Sequence, residues 1–261
     1  MKICTLSSGS KGNATFVHDG TKALLVDNGL TLAMLKDRLE ARDLDISDIK
    51  AILVTHEHID HIKGVATVAR ALKVPVYAPE ACIDAIIAKS GKRSIDIHPI
   101  SECGNDIAGL EVEAFRVPHD AIYTVGYTIC DGDSKVGIAT DLGTVNESIF
   151  SHLASCNTVL LEANHDREML LSGSYPFALK KRIDSVNGHL SNEHSAKTIV
   201  RLFERGVNKF ILGHLSEDNN SPEIAFDRVA TEFEDKRLIM GADYTLDVAM
   251  QRTAGKIITV K

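Results

Sequence analysis

Short apolar runs alternate with turn residues along the first part of the chain. Lys2 to Leu6, Ala14 to Val17 and Ala23 to Val26 each read as a strand, separated by glycine-containing turns. The period then lengthens: Leu32 to Leu39 and Ile62 to Leu72 place apolar residues at helical spacing. Val74 to Tyr77 predicts a strand, Ala81 to Ala88 a helix, and Leu110 to Val117 a strand ending just before His119. Thr124 to Cys130 and Lys135 to Ala139 flank the turn-forming Asp131-Gly132 and predict a hairpin. Asn157 to Glu162 and Lys209 to Leu212 are further strands. Ser191 suits the N-cap of a helix ending near Gly206, and another helix runs through Ile224, Ala225, Val229 and Phe233. This rhythm is α/β, but it leaves the order of the strands open.

Length and composition narrow the class. With 261 residues and no linker, repeat or low-complexity tract, residues 1–261 are expected to form a single domain. The N-terminal segment lacks a secretory apolar run and no stretch is long enough to span a bilayer, which predicts a cytoplasmic protein with no membrane partner. Cys4, Cys82, Cys103, Cys130 and Cys156 show no zinc-finger or redox spacing and are expected to be buried thiols. A net charge of −7 argues against coating nucleic acid by bulk electrostatics, though not against a local groove. Lys180-Lys181-Arg182, the densest basic run, reads equally as a solvated helix face or a phosphate contact.

The chemistry concentrates in Thr55-His56-Glu57-His58-Ile59-Asp60-His61, directly after the apolar run Ala51 to Val54. In extended backbone, side chains two apart project to the same side, so His56 and His58 can grip one ion while Asp60 and His61 turn toward a second. Imidazole and carboxylate donors suit zinc, manganese or iron. Two ions about 3.5–4 Å apart can lower the pKa of a shared water and steady both oxygens of a phosphoryl displacement.

This His-x-His-x-Asp-His cluster resembles the signature of the metallo-β-lactamase superfamily. Further positions of the same pattern occur in order: Asp27 after Ala23 to Val26, His119 after Phe115 to Pro118, Asp141 after Val136 to Thr140, and His214 after Lys209 to Gly213. The resemblance implies a four-layer αββα metallo-β-lactamase sandwich. It also implies one ion held by His56, His58 and His119, a second by Asp60, His61 and His214, Asp141 bridging them through a site that would generate a hydroxide, and Asp27 orienting a ligand from behind. Asp60 is thereby placed in both the metal-binding and the catalytic set.

The second half refines the substrate class. Gly188-His189-Leu190-Ser191-Asn192-Glu193, Leu160-Leu161-Glu162-Ala163-Asn164 and Gly213-His214-Leu215-Ser216 resemble segments of tRNA-processing members of the superfamily. By that resemblance His189 is a leaving-group acid or phosphate-binding group, with Glu162 orienting and protonating it. Leu6 to Asn13, Asn164-His165-Asp166 and Gly213 to Glu223 are closer to the bacterial YycJ family, also called WalJ or VicX. That family is associated with a two-component system and regarded as 5′-to-3′ exonucleases on DNA. It implies manganese ahead of zinc or iron, and a nucleic-acid partner, DNA ahead of RNA. Substrate contacts are then expected from Ser8, Ser10, Asn13, His165, Asn219 and Asn220. The first of these segments reads as a phosphate nest or an ordinary tight turn. His165 reads as a phosphate contact or a helix-start hydrogen bond, and Asn219 and Asn220 as a pocket rim or loop polar residues. Two other readings stay open: a lactone or thioester hydrolase on the same metals, and a metal-binding regulatory protein.

Overall fold

The computed structural model describes residues 1–90 and 94–261. Along the chain come β1 (Lys2–Ser7), β2 (Ala14–His18), β3 (Ala23–Val26), α1 (Leu32–Glu40), β4 (Ile49–Leu53), α2 (Ile59–Ile62), α3 (Val65–Leu72), β5 (Val76–Ala78), α4 (Glu80–Lys89) and β6 (Ile97–Pro99). There follow β7 (Asn105–Ile107), β8 (Leu110–Arg116), β9 (Val125–Cys130), β10 (Lys135–Ala139), α5 (Glu147–Ala154), β11 (Thr158–Glu162), α6 (Arg167–Ser172) and α7 (Phe177–Ile183). The described chain closes with α8 (Asn192–Phe203), β12 (Lys209–Gly213), α9 (Pro222–Asp235), β13 (Thr245–Val248) and β14 (Ile258–Thr259).

Two mixed sheets form, in the orders β14-β1-β2-β3-β4-β5-β6 and β13-β12-β11-β10-β9-β8-β7. The burial pattern explains their stacking. Leu24, Val26, Ala51 and Leu53 face Val112, Ala114, Tyr127, Ile138, Leu160 and Ile211 in an apolar layer between the sheets. The alternate residues Ala23, Leu25 and Ile52 pack under α1, α3 and α4. On the other sheet, Val159, Leu161, Phe210 and Leu212 pack under α5, α8 and α9. Strands buried on both faces must be apolar at nearly every position, which is why these runs are continuous rather than alternating. The layer order is therefore αββα, as the resemblance implies. Tyr127 ties the layers together, its hydroxyl donating to the Val54 carbonyl at 2.6 Å.

Most predicted elements appear within a residue or two of their expected ends, and Ser191 caps α8 through the His194 amide. The face from Ile62 to Leu72 is a correction: it breaks at Gly64 into α2 and α3. A Cβ on Gly64 would lie 1.8 Å from the Leu30 carbonyl oxygen, so close backbone approach, not helix continuity, governs that position. The cysteines also differ from expectation. Cys4, Cys82 and Cys156 are buried, but Cys103 is exposed in a turn and Cys130, the last residue of β9, is half-buried. No helix among the described residues is long and apolar enough to cross a membrane.

Candidate metal centre

Parallel pairing of β3 with β4 and of β10, β11 and β12 with one another brings the C-terminal ends of these strands to one edge of the sandwich. Asp27, Asp141 and His214 lie just past β3, β10 and β12, and all three have left-handed backbone, φ 56°, 57° and 55°. Non-glycine residues in that region cost about 1–2 kcal/mol each. Their coincidence at one edge shows the chain turning sharply so that each side chain points inward over the strand ends.

The loop after β4 is laced to its neighbours through backbone. The Asn13 amide donates to the Asp60 carbonyl at 2.8 Å, Asn28 to His61 at 2.8 Å, and Gly64 to Asn28 at 2.9 Å. Gly29 permits this closeness, since a Cβ there would stand 1.8 Å from the Asp60 oxygen. Within the loop Glu57 turns away, accepting from the Ile122 amide and the Cys82 thiol, so it leaves the inward-facing set.

The inward side chains converge. Donor atoms of His56, His58 and His119 lie within 4.8 Å of one another, as do those of Asp60, His61 and His214, and those of His56, His61 and Asp141. Asp141 is central: Oδ2 is 3.2 Å from His61 Nε2, and Oδ1 is 3.5 Å from His214 Nε2 and 3.7 Å from His119 Nε2.

The imidazoles of His56, His61, His119 and His214 are oriented from behind through Nδ1. Asp27 holds His61 at 2.8 Å and Thr55 Oγ1 at 2.8 Å, and Thr55 contacts His56 Nδ1 at 3.0 Å. The Gly188 carbonyl faces His119 Nδ1 at 3.1 Å, and Glu162 Oε1 faces His214 Nδ1 at 2.8 Å. Buried polar atoms almost always have partners. Here Nε2 of His56, His119 and His214, with Asp141 Oδ2, are buried with no hydrogen-bond partner. Oriented, unpartnered donors of these types around a common space fit divalent metal ions.

The electrostatics of the metal-free arrangement carry the same message. Burial pushes the His214 imidazolium to deprotonate, yet the Asp141, Asp60 and Glu162 carboxylates together outweigh it and raise the pKa to about 10. His61 is likewise lifted well above its ordinary value, against burial, by Asp141 and Asp27. Asp141 itself is held well below the carboxylate range despite burial, by His214 and His61. Protons on imidazoles thus supply the positive charge the carboxylates demand, in the place a cation would take.

Glu162 joins this cluster to His189. Its Oε1 faces both His214 Nδ1 and His189 Nδ1 at 2.8 Å, while Oε2 accepts from the Leu142 and Leu190 amides at 2.9 and 3.2 Å. Burial alone would raise the Glu162 pKa, but His189 and His214 hold it at about 2. The carboxylate is therefore ionised and fully occupied. This corrects the expectation that it protonates His189: it keeps a proton on that imidazole by charge and raises the His189 pKa. The contact with His214 was not anticipated, and nothing local in the sequence signals it. Thr55 was also overlooked, although it stands inside the motif, because its role depends on Asp27 arriving from another strand.

The expected substrate residues fare unequally. Ser10 lines a cavity of about 200 Å³ together with Asp120, Asn164, Tyr175, Arg182 and His189. Ser8 Oγ accepts the His214 amide at 2.8 Å, and Asn13 Nδ2 stands 2.9 Å from His61 Nε2 and 3.2 Å from Asp60 Oδ2. Asn13 also closes the first loop as a tight turn by accepting the Gly9 amide, so both residues brace the centre. His165 is fully buried with its Nε2 3.6 Å from Asp184, out of reach of a phosphate. Asn220 spends its side-chain amide on the Ala163 and Asn164 carbonyls and on Asn192, a bracket between loops with 6% of its surface at a pocket edge. Asn219 accepts the Asp166 amide through its carbonyl and is 2% exposed. Ser8, Asn13 and Asn220 share a cause: polar side chains beside a buried centre are drawn into satisfying backbone groups there. In the basic run, Arg182 pairs with Asp120 and Lys180 donates to the Leu171 carbonyl, while the helix face itself is open to solvent.

Comparison with known proteins agrees with this geometry. The Beta-lactamase superfamily domain profile matches residues 22–214. The chain belongs to the β-lactamase superfamily. It is 36% identical over 248 residues to exodeoxyribonuclease YycJ of Bacillus anthracis, covering 94% of each chain. Exodeoxyribonuclease WalJ of Streptococcus pneumoniae strain D39 is also 36% identical, over 93% of this chain and 92% of its own. Among solved structures, Zn(2+)-bound PqqB from Methylobacterium extorquens shares the fold with a TM-score of 0.70 at 16% identity, covering 98% of this chain and 99% of its own. Human tRNase Z, short form, aligns with a TM-score of 0.66 at 16% identity over 99% and 100%.

Proposed function

We propose that the chain is a metal-dependent phosphodiesterase acting as a 5′-to-3′ exodeoxyribonuclease. The observation that carries this reading is the shared Glu162 oxygen, which links His214 of the metal-fitting cluster to His189. A lactone or thioester hydrolase has no use for an imidazolium held beside its metals, whereas a departing sugar oxygen needs a proton. The relatives named exodeoxyribonuclease support the same choice.

His56, His58, His119, Asp60, His61, His214 and Asp141 would hold two divalent ions, manganese ahead of zinc or iron, which would supply an activated water and charge stabilisation for phosphoryl transfer. The chain's residues do the rest. Asp27 and Thr55 hold His61 and His56 in one tautomer, with Nε2 inward. Glu162 fixes His189 through Nδ1, leaving its Nε2 to carry a proton toward the cavity that Ser10 and Asn164 line. His189 gives that proton to the departing 3′ oxygen, and Glu162 stabilises the charge it carries beforehand.

The test is digestion of end-labelled DNA with each metal by wild type and His189→Ala, alongside metal analysis. Turnover is expected to fall about 10²–10⁴-fold with two ions retained. Cleavage of a lactone but no nucleic acid by the wild type overturns the reading.

A further inference from the structure

A second cavity, of about 530 Å³, is lined by His119 together with Glu102, Arg116, Ile122, Tyr123, Asn146 and Asn187. His119 and Asn187 line it, while their chain neighbours Asp120 and Gly188 line the cavity at His189. The two spaces therefore adjoin along the segments 119–120 and 187–188. Several other cations near the cavities are engaged by carboxylates, while Lys180 donates to a carbonyl. Arg182 pairs with Asp120, Lys11 and Arg252 with Glu217, and Arg167 with Asp184. Arg116 is different. It is exposed, no carboxylate lies within ion-pair distance of it among the described residues, and its guanidinium sits 4.6 Å from the centroid of the Tyr123 ring. Tyr123 is anchored in turn by its hydroxyl, which donates to Glu102 at 2.5 Å. A guanidinium already held over an aromatic ring loses less freedom on binding an anion than a free one.

We infer that the cavity beside His119 seats the retained single strand of a nucleic acid, with Arg116 as a positioning residue on its backbone phosphate. The inference rests on the nuclease reading for its direction. His189 marks the leaving side, whose cavity of about 200 Å³ is small, so the continuing strand lies in the larger space. A chain of net charge −7 attracts a polyanion poorly overall, so an unneutralised guanidinium beside the centre has disproportionate weight.

The experiment measures fluorescence anisotropy of a short phosphorothioate-linked single strand against the metal-loaded wild type and Arg116→Gln over a range of salt. Hydrolysis of bis(p-nitrophenyl) phosphate, too small to reach the cavity, is followed in parallel. Arg116→Gln is expected to weaken strand binding about tenfold. The slope of log K against log salt should flatten by about 0.7, one phosphate on a single strand, with small-diester hydrolysis unchanged. Unaltered affinity and slope overturn the inference, as does a parallel loss of small-diester hydrolysis, which marks a structural role. A wild type that binds no strand overturns it too. A wild type that binds through Arg116 yet cuts no DNA leaves this surface standing and removes the exonuclease assignment instead.

Discussion

The loop from His56 to His61 and the wall formed by Asp141, Glu162, His189 and His214 meet at one centre by opposite routes. The loop delivers its donors from a few consecutive residues, with Asp27 and Thr55 behind them. The wall collects one residue from each of several segments, and a single carboxylate, Glu162, ties the last two together. Unpartnered buried atoms face the centre from both sides, His56 Nε2 on the loop and Asp141 Oδ2 and His214 Nε2 on the wall, whereas around Glu162 every carboxylate position is occupied by protein. The difference separates two tasks on one edge: gripping metal and managing a proton.

The largest break in that division is expected from Asp141, which faces both halves. Asp141→Ala should leave less than the full complement of metal by elemental analysis and lower nuclease activity by more than the roughly hundredfold ceiling typical of outer partners. Retained metal at full stoichiometry in that variant contradicts its central place. Next come the two orienting carboxylates. Asp27→Ala should weaken metal affinity about 10–100-fold, read by chelator competition. Glu162→Gln should do so through His214 and also shift the pH profile of turnover to lower pH, because His189 loses the charge that raises its pKa. Identical pH profiles for Glu162→Gln and wild type contradict the proton-holding role.

Proton linkage sharpens the comparison further. The folded-state pKa of His214 is raised from 6.5 to about 10, so its contribution to metal-free stability is complete below pH 6.5 and is lost as pH rises toward 10. The melting temperature of chelated protein should therefore fall over that interval. Metal binding must expel the same proton, so affinity should rise with pH across the window, and titration calorimetry in buffers of different ionisation enthalpy should detect proton release. Glu162 acts in the opposite range: its stabilisation is present above pH 4.5 and disappears as pH falls toward 2. The smallest effect is expected at Asn220, where Asn220→Ala removes a donor from the Ala163 carbonyl and one of two donors from the Asn164 carbonyl, and costs about 1–3 kcal/mol of stability, measured by denaturant unfolding, with metal content unchanged.

The loop side was nearly transparent in the sequence because its chemistry is local. Spacing alone groups His56 with His58, and a strand followed by a polar cluster needs no distant partner to be noticed. The wall was legible only through resemblance, since His119, Asp141 and His214 are each unremarkable in isolation. Ser8, Asn13 and Asn220 show the limit of reading polar residues near a site. Their types suit substrate contact, but what they touch is the backbone and side chains that fold places beside them. Arg116 was invisible for the converse reason, because a cation becomes conspicuous only after the others are seen to be paired.

What the amino-acid order determined by itself is therefore the alternation of buried strands with amphipathic helices and one dense donor loop, properties set by neighbours along the chain. Tertiary structure decided the rest. It turned Asp27, Asp141 and His214 inward through left-handed backbone, and it set Glu162 between two imidazoles from segments far apart in the chain. It also left Arg116 unneutralised beside the centre. The physical reason is that coordination, proton sharing and charge neutralisation depend on distances of a few ångströms between groups that the sequence holds far apart.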